Sequence, residues 1–437
     1  MIREKCITVL DKALEYSFYG LAFFIPVSIA FTEIFTTLAI TAFVLKSLLC
    51  LKHQRKAASP ASSFFALPNI FILLFFCFCA LSLVHCASVL PKSLNALFGK
   101  WGKFIMLYWV ASASFAEEGR FRKMGLVFLA SAALAVVDAF SQRFFSLEFL
   151  LHRPLVDVNF AGRTEWAVTG AFKHSNDFAT YLICSIPLLA GIAVTHPQSV
   201  GIQESRRSGI SSVSFLSVVL LLTFCLILTF SRGGWLGFIV ACGMMCFLLP
   251  KKKFFFFLGL IFFALLFSSP EILKRAATVF GAGGDSGRYQ LWDGAWAMIA
   301  QHPWIGNGVG TFMAFFQDYV QGRGAMYAHN CYLQMWAEVG VFGLLCFLLF
   351  LGTVFRSGFL ALRRCAGLEM APILAGLLCG ALAFLVQSAL DTNLYALQPS
   401  ALFWLFLGMI RAMSGDESKE RSFAKDRLRM TQKNSSF

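Results

Sequence analysis

The chain alternates between long apolar runs and short polar breaks, with one long polar stretch after its middle. A hydrocarbon layer about 30 Å thick requires roughly 20 apolar residues per helix. By that criterion, twelve runs are candidate spans: 14–32, 34–51, 65–84, 101–116, 123–140, 177–195, 213–230, 234–250, 254–269, 337–355, 370–390 and 394–411. The pattern therefore predicts an all-α polytopic integral membrane protein with about twelve transmembrane helices.

The polar stretch from about residue 271 to residue 338 is the longest interruption of this pattern. A loop of that length in a compact chain usually has a function, so we predict that it is the active-site cap of a membrane enzyme. The predicted organisation has helices 1–9 in residues 1–269, with a smaller outer segment near 141–176. A large outer loop follows at 270–336, then helices 10–12 at 337–411 and a basic inner tail at 412–437.

Composition supports a membrane location and the charge distribution predicts an orientation. The chain is 58% hydrophobic and only 14% charged, yet its formal net charge is +14. With the N-terminus inside, about two thirds of the 37 Lys and Arg residues fall on inner segments. This agrees with the positive-inside rule and predicts that both termini are cytoplasmic. The positive-inside rule then accounts for the surplus positive charge, and no nucleic-acid partner is expected.

The thirteen cysteines do not indicate a metal or a redox site. Most of them lie inside apolar runs, where cysteine behaves as a small hydrophobic residue. The sequence has no CxxC pair and no Cys/His spacing typical of zinc ligands. We therefore predict neither a disulfide framework nor a metal site, and no cofactor.

Basic residues on the predicted outer side suggest an anionic ligand, because the topology rule disfavours them there. One is Arg232, which precedes Gly233-Gly234 between the seventh and eighth runs. The two glycines permit a tight turn and close approach of the backbone to a ligand, and the guanidinium group can bind phosphate through paired hydrogen bonds. Alternatively, Arg232 extends to lipid headgroups at the interface.

A second outer arginine, Arg288, follows the glycine-rich run 281–287. Such a run before a helix can hold phosphate with backbone N–H groups, although a solvated surface arginine is the simpler explanation. The glycines of the segment 302–310 fit no dinucleotide-binding fingerprint, because no βαβ pattern surrounds them. We predict that they form a turn.

Two further segments place titratable groups beside apolar runs. His329 and Asn330 precede the tenth run, where His329 can act as a general base or serve only as an interfacial residue. Asn330 can cap the following helix in either case. Lys173 and His174 precede the sixth run, whose Ser175, Asn176 and Asp177 are typical of a helix N-terminus, the end that attracts anions.

Taken together, these segments resemble the O-antigen ligase / O-antigen polymerase family of bacterial envelope proteins. The resemblance extends over about 170–345 in order and spacing. It rests on Gly170–Phe172 with Asn176–Ala179, Ser231–Gly234, Gly287-Arg288 with Trp292 and Ala295, His302–Gly308, and His329–Gln334 with Glu338, Gly340 and Gly343. The chain departs from many relatives at Ser175, where they have proline, and at Ser141-Gln142, where they have an aromatic residue before the glutamine.

The resemblance implies a metal-independent, inverting glycosyltransferase that uses a polyprenyl-diphosphate-linked glycan as donor, with no cofactor. In such enzymes the periplasmic loop closes over a cavity that faces the outer leaflet. It also implies that Arg232 and Arg288 hold the diphosphate and that His329 activates the acceptor hydroxyl. Asn176, Lys173 and Asn330 are the further predicted substrate-binding residues.

Within the family we favour the ligase, which transfers O-antigen to lipid A-core at the bacterial inner membrane. The alternatives are an O-antigen polymerase that extends lipid-linked repeats and a protein O-oligosaccharyltransferase. From a different class, a polyisoprenoid-lipid transporter or flippase is also considered. A transporter should place polar groups near the bilayer midplane, whereas here they gather at the predicted outer face.

Overall fold

The computed structural model describes residues 2–51, 67–115, 118–152, 156–160, 163–194, 212–267, 272, 286–320, 326–365, 368 and 370–415. The predicted phosphate-binding run lies largely outside these residues, as does most of the predicted basic tail. Both therefore remain predictions. The residues that carry the predicted site are described, including Lys173, Asn176, Arg232, Arg288 and His329.

Within the described residues the chain forms fifteen α-helices and one short hairpin. The helices are α1 (Ile2–Phe24), α2 (Ile29–Leu51), α3 (Leu67–Leu81), α4 (Leu90–Leu94), α5 (Lys103–Ser114), α6 (Glu118–Phe145), α7 (Ser175–Val194), α8 (Ser212–Leu228), α9 (Arg232–Leu248), α10 (Lys252–Leu266), α11 (Ser286–Gln301), α12 (Phe312–Tyr319), α13 (Cys331–Arg364), α14 (Ala371–Ser388) and α15 (Leu397–Ser414). A π-helical segment, Asn95–Gly102, leads into α5, and 3-10 turns lie at Ser82–His85, Ala87–Val89 and Asn393–Tyr395.

Every one of the twelve predicted apolar runs overlaps a helix. Among the described residues, six helical segments are long and apolar enough to cross a membrane: Ile29–Cys50, Leu67–His85, Lys123–Phe145, Ser175–Val194, Cys331–Arg364 and Ala371–Ser388. These segments are consistent with the predicted helical, multi-pass membrane class. Twelve crossings remain a prediction, because the other helices are shorter or less apolar.

Among the helix boundaries that differ from the sequence prediction, two have a visible physical cause. The first run was expected to extend to residue 32, but α1 ends at Phe24 and α2 starts at Ile29. Pro26 lies in this break; proline has no N–H group and disfavours the helical conformation of the residue before it. The tenth run was expected to start at residue 337, whereas α13 starts at Cys331 and is kinked at Gly340.

Helix α14 lies at the centre of the bundle, packed against α7, α9 and α15. Its approach to α7 is close because glycines face backbone carbonyls across the contact. A Cβ atom on Gly376 would lie 2.5 Å from the Pro187 carbonyl oxygen, and one on Gly380 would lie 2.7 Å from that of Cys184. Small residues at such contacts allow helix backbones to pack tightly inside a membrane.

The predicted segment 141–176 contains the hairpin, which consists of β1 (Val156–Phe160) and β2 (Arg163–Ala167). The strands pair antiparallel, with Val156 opposite Ala167. The chain after β2 is tied to the helical bundle, because the Val168 N–H donates to the Leu228 carbonyl at 3.1 Å. The described chain is otherwise helical.

The described part of the predicted cap at 270–336 contains α11, α12 and the first turns of α13. Buried side chains of α11 pack against Phe312 and Phe316 of α12 and against Ala337 of α13. The amide nitrogen of Asn307 donates to the carbonyl oxygens of Met298 in α11 and Ala337 in α13, both at 2.9 Å. Helices α11 and α12 are therefore packed on the first part of α13.

Candidate active site

The starts of α7 and α9 and the end of α14 meet at one end of the bundle. Gln387 in α14 donates from Nε2 to the Asn176 carbonyl at 3.1 Å, and its Oε1 accepts from Thr180 at 3.0 Å. A Cβ on Gly233 would lie 3.2 Å from Cγ of Gln387 and 3.4 Å from Cβ of Leu390. The backbones at two predicted binding residues, Asn176 and Arg232, therefore adjoin the same segment of α14.

His329 joins this group through a carboxylate that follows α14. Its Nδ1 lies 3.4 Å from Oδ1 of Asp391, and the side chains are 35% and 9% exposed, respectively. The backbone of His329 has φ = +46°, a conformation that costs a non-glycine residue about 1–3 kcal/mol and occurs often at functional sites. The imidazole is therefore held beside a largely buried acid while part of it stays accessible.

Asp391 is a candidate site residue that the sequence analysis missed. It lies in the break between α14 and α15, where its Oδ1 accepts from the Thr392 N–H at 2.8 Å. Its carbonyl oxygen accepts from the Cys331 thiol at 3.1 Å, which ties this break to the start of α13. The available signal was a short Asp-Thr-Asn interruption between the last two apolar runs.

Asn330 is the cap of α13. Its Oδ1 accepts from the N–H groups of Tyr332 at 3.0 Å and Leu333 at 3.1 Å. The predicted capping role is confirmed, and it accounts for this oxygen without a ligand. Substrate binding by Asn330 remains a prediction.

Lys173 and His174 lie at the N-terminus of α7, where both side chains reach the surface. The His174 carbonyl accepts from the N–H groups of Asp177 and Phe178, so its backbone starts the helix. Desolvation of the packed part of the ring lowers the pKa of His174 from its usual value of 6.5, and the charge on Lys173 lowers it further. The positive charge at this helix end therefore comes from Lys173 at neutral pH.

Arg232 is the first residue of α9 and is half-buried. Ser231 caps the helix, because its Oγ accepts from the Gly234 N–H at 3.2 Å. The predicted turn lies before Ser231, where Phe230 has φ = +52°. Contrary to the prediction, the two glycines lie inside the helix: a Cβ on Gly234 would be 2.9 Å from that of Ala179. Their absent side chains bring α9 close to its neighbours.

Arg288 lies in the first turn of α11 and is half-buried. Trp292, one turn later on the same helix face, donates from its indole nitrogen to the Ala328 carbonyl at 3.1 Å. This bond attaches the start of α11 to the backbone directly before His329. The fold thus brings the helix that carries the second predicted diphosphate ligand to the predicted base.

The segment 302–310, which we call the kink loop, forms the predicted turn. Gly306, Gly308 and Gly310 all have positive φ. Its backbone bonds to α13: the Gly308 N–H donates to the Glu338 carbonyl at 2.9 Å, and the Gly310 N–H donates to the Glu338 carboxylate at 2.8 Å. The kink loop therefore fills the bend at Gly340 and positions the cap.

Residues 217–348 match the family model described as O-antigen ligase. The matched segment contains Arg232, Arg288, His329 and Asn330. Together with the helical bundle, the match supports a multi-pass membrane protein of the glycosyltransferase type, a class that implies glycan and lipid substrates. Over the matched residues the particular family is the O-antigen ligase family, which confirms the resemblance. No curated protein matches the chain.

Lys173, Asn176 and Asp391 lie outside the matched segment. Gln387 joins Asn176 to α14, and the His329–Asp391 contact joins the matched part of the chain to the segment after α14. These two contacts link Asn176 and Asp391 to the rest of the candidate site.

Proposed function

We propose that this protein transfers a polyprenyl-diphosphate-linked glycan to lipid A-core on the periplasmic side of the bacterial inner membrane. The observation that supports this most directly is the His329–Asp391 contact beside the starts of α7 and α9. An imidazole held by a carboxylate is the arrangement required to accept a proton from an acceptor hydroxyl.

His329 is the proposed general base. With Nδ1 directed at Asp391, the tautomer that donates Nδ1–H to the carboxylate leaves Nε2 as the proton acceptor. Nε2 takes the proton of the acceptor hydroxyl as its oxygen forms a bond to the anomeric carbon of the donor sugar. The sugar–phosphate bond breaks on the opposite side, and the diphosphate leaves with the electron pair. The anomeric configuration is thereby inverted.

Arg232 and Arg288 are the proposed ligands of the diphosphate. A guanidinium group can donate two parallel hydrogen bonds to phosphate oxygens, and charge developing on the leaving group is stabilised by donors already in place. Lys173 at the N-terminus of α7 adds a positive charge at a helix end that itself favours anions. Donors of this kind supply charge neutralisation without a metal ion, so we expect EDTA to leave the rate unchanged.

The proposed topology places the site and the cap in the periplasm and both termini in the cytoplasm. A reporter fused at Gly284 should then read periplasmic, and one fused at Lys252 should read cytoplasmic. The opposite result at either position would reject this orientation. The part of α13 after Gly340 extends about 36 Å at a helical rise of about 1.5 Å per residue, which is enough to cross a ~30 Å hydrocarbon layer.

The acceptor decides between the activities of this family. Purified protein in proteoliposomes should be supplied with lipid-linked glycan and lipid A-core, and the products separated by size. Transfer to lipid A-core is the expected result. Longer lipid-linked glycan formed without lipid A-core would identify a polymerase, and glycan on a supplied protein would identify a protein glycosyltransferase. Movement of the lipid across the membrane without a new glycosidic bond would indicate a transporter.

A further inference from the structure

One side of the cap carries aromatic rings that the proposed chemistry does not use. We call this set the aromatic ladder; it consists of Tyr289, Trp292, Trp296, Trp336, Trp304 and Phe342. Within it, Tyr289 and Trp304 are each 62% exposed and Trp296 is 49% exposed. A cluster of exposed aromatic side chains can mark a site for a ligand, a protein or lipid.

The rings form three contacting pairs beside α13. Trp304 stacks on Phe342 with ring centroids 5.6 Å apart, Trp296 meets Trp336 edge-on at 5.4 Å, and Tyr289 meets Trp292 at 5.9 Å. Trp292 in turn bonds to the backbone before His329. Since α13 rises about 1.5 Å per residue, the ladder covers roughly 16 Å between Phe342 and the start of that helix.

The Phe342 end of the ladder lies at the lipid-facing side of the protein. Phe342 is exposed on α13 and is followed on the same helix by the exposed Leu345 and Leu349. Because this part of α13 belongs to a span, these side chains face lipid. The ladder therefore leads from the edge of the hydrocarbon layer to the proposed base.

Two of the rings are fixed by their polar atoms. The indole nitrogen of Trp336 donates to the Pro303 carbonyl at 3.1 Å, and that of Trp292 donates to the Ala328 carbonyl. Their N–H groups are thus satisfied within the protein. A ligand of this surface would contact flat ring faces that are already oriented.

Sugar rings have an apolar face that can bind to the face of an aromatic ring. The C–H groups on one side of a pyranose are apolar and slightly positive, and they pack on the negative face of an aromatic ring. The hydroxyl groups at the rim remain in water. A glycolipid has its lipid part in the membrane and its sugars above it, which matches a row of rings rising from the lipid face to His329.

We propose that the aromatic ladder binds the oligosaccharide of a membrane-anchored glycolipid acceptor and guides it to His329. The assignment of this glycan as the acceptor rests on the proposed function. The rival occupant is the bilayer itself, whose headgroup layer also attracts tryptophan. The two occupants can be distinguished, because a water-soluble glycan should bind the ladder only if the ladder is a sugar site.

The test uses the full-length protein in phosphatidylcholine nanodiscs and the core oligosaccharide released from lipid A by mild acid. Titration calorimetry should detect binding to the wild type. In Trp296→Gln the affinity should fall roughly three- to tenfold, because one stacking contact is lost, while Trp296→Phe should retain most of it. Phe256→Leu is the matched control, since Phe256 is 64% exposed on α10, outside the ladder.

Kinetics supply an independent readout of the same proposal. Trp296→Gln should raise KM for the acceptor by a similar factor and leave kcat and the donor KM unchanged. Equal oligosaccharide affinity in the wild type and Trp296→Gln would overturn the proposal. So would quenching of Trp296 by brominated phosphatidylcholine without oligosaccharide binding. Binding without any glycosyl transfer would reject the proposed function but not the carbohydrate site.

Discussion

The kink loop and the proposed catalytic corner share unusual backbone angles but differ in what their polar groups bind. The catalytic corner comprises residues 171–177, 229–232, 329–330 and 391–393. Both regions contain positive-φ residues, at Gly306 in the kink loop and at Phe230 and His329 in the corner. In the kink loop the backbone amides bond to α13 and to the buried Glu338. In the corner, ionisable side chains remain partly exposed.

This difference shows that glycines and unusual backbone angles do not by themselves mark a functional site. The kink loop uses them to pack closely: a Cβ on Gly306 would lie 2.3 Å from the Glu338 carbonyl carbon. In the corner, the backbone is fixed by the caps Ser231 and Asn330. The caps bond to their own helix starts, and the Arg232 and His329 side chains beside them stay partly exposed.

The largest expected effect comes from removing the proposed base. His329→Ala should lower turnover by roughly 10²–10⁴ while donor binding is retained, since the arginines hold the diphosphate. His329→Asn should lower turnover as much as His329→Ala does, because asparagine cannot accept the proton. Turnover and donor binding should be measured separately at matched expression. The control is His302→Asn in the kink loop, which should remain active. Recovery in His329→Asn would make His329 structural, with His174 the next candidate base.

Loss of either arginine should be nearly as severe. Arg232→Ala or Arg288→Ala should each reduce transfer on the order of 10²-fold, because charge on the leaving diphosphate is no longer neutralised. Lysine should rescue poorly, since an ammonium group lacks the paired donors. Steady-state rates with varied donor measure this, with Arg356→Ala in the second half of α13 as control. Near-normal transfer in a well-expressed Arg288→Ala would reduce that residue to a surface charge.

A smaller loss is expected when the carboxylate beside His329 is neutralised. Asp391→Asn keeps an oxygen that can accept from the Thr392 N–H, so the local fold should persist. The imidazole loses its negative partner and its fixed tautomer, and kcat should fall about tenfold to a hundredfold with an unchanged donor KM. An unchanged kcat would show that His329 acts without Asp391.

In the kink loop region, by contrast, a substitution should affect the stability of the protein rather than turnover. Gly340 has φ = +73° and ψ = +175°, a region essentially confined to glycine. A Cβ there would lie 2.1 Å from the Trp304 carbonyl oxygen. Gly340→Ala should therefore lower the free energy of unfolding by about 3 kcal/mol, seen as a lower Tm and folded yield.

Gly352→Ala is the matched control for this change, because it lies in the same helix with no atom within 4 Å of the added Cβ. Its stability should be unchanged or slightly raised, since alanine favours helix more than glycine. Equal Tm values for the two variants would contradict the account of the kink.

The smallest effect concerns His174. Its pKa is below the usual 6.5, so the ring is neutral at pH 7.5 and His174→Gln should keep activity within about twofold. The unfolded chain binds the proton more tightly, and stability therefore falls as the pH drops through 6.5 towards the folded-state pKa. His174→Gln should reduce this acid loss of Tm. A steeper loss of Tm at acid pH in His174→Gln would contradict a lowered pKa for His174.

Much of the architecture and part of the site could be predicted from the sequence. Apolar run length predicted the helical membrane class because the lipid layer sets one length for every span. The order of Arg232, Arg288 and His329 among motifs predicted the family, which the match over 217–348 confirms. The caps Ser231 and Asn330 belong to residue types whose side chains bond to their own local backbone.

The tertiary structure alone decided which distant residues meet. Asp391 lies 62 residues after His329, and neither hydropathy nor spacing records that contact. The same holds for the packing role of Gly233 and Gly234, which depends on neighbours from α7 and α14. Apolar run length and capping residues reflect the solvent and the nearby backbone. A contact between distant elements depends instead on how the helices pack. For that reason the sequence by itself determined the membrane class and the candidate base, and only the fold supplied the partner of that base.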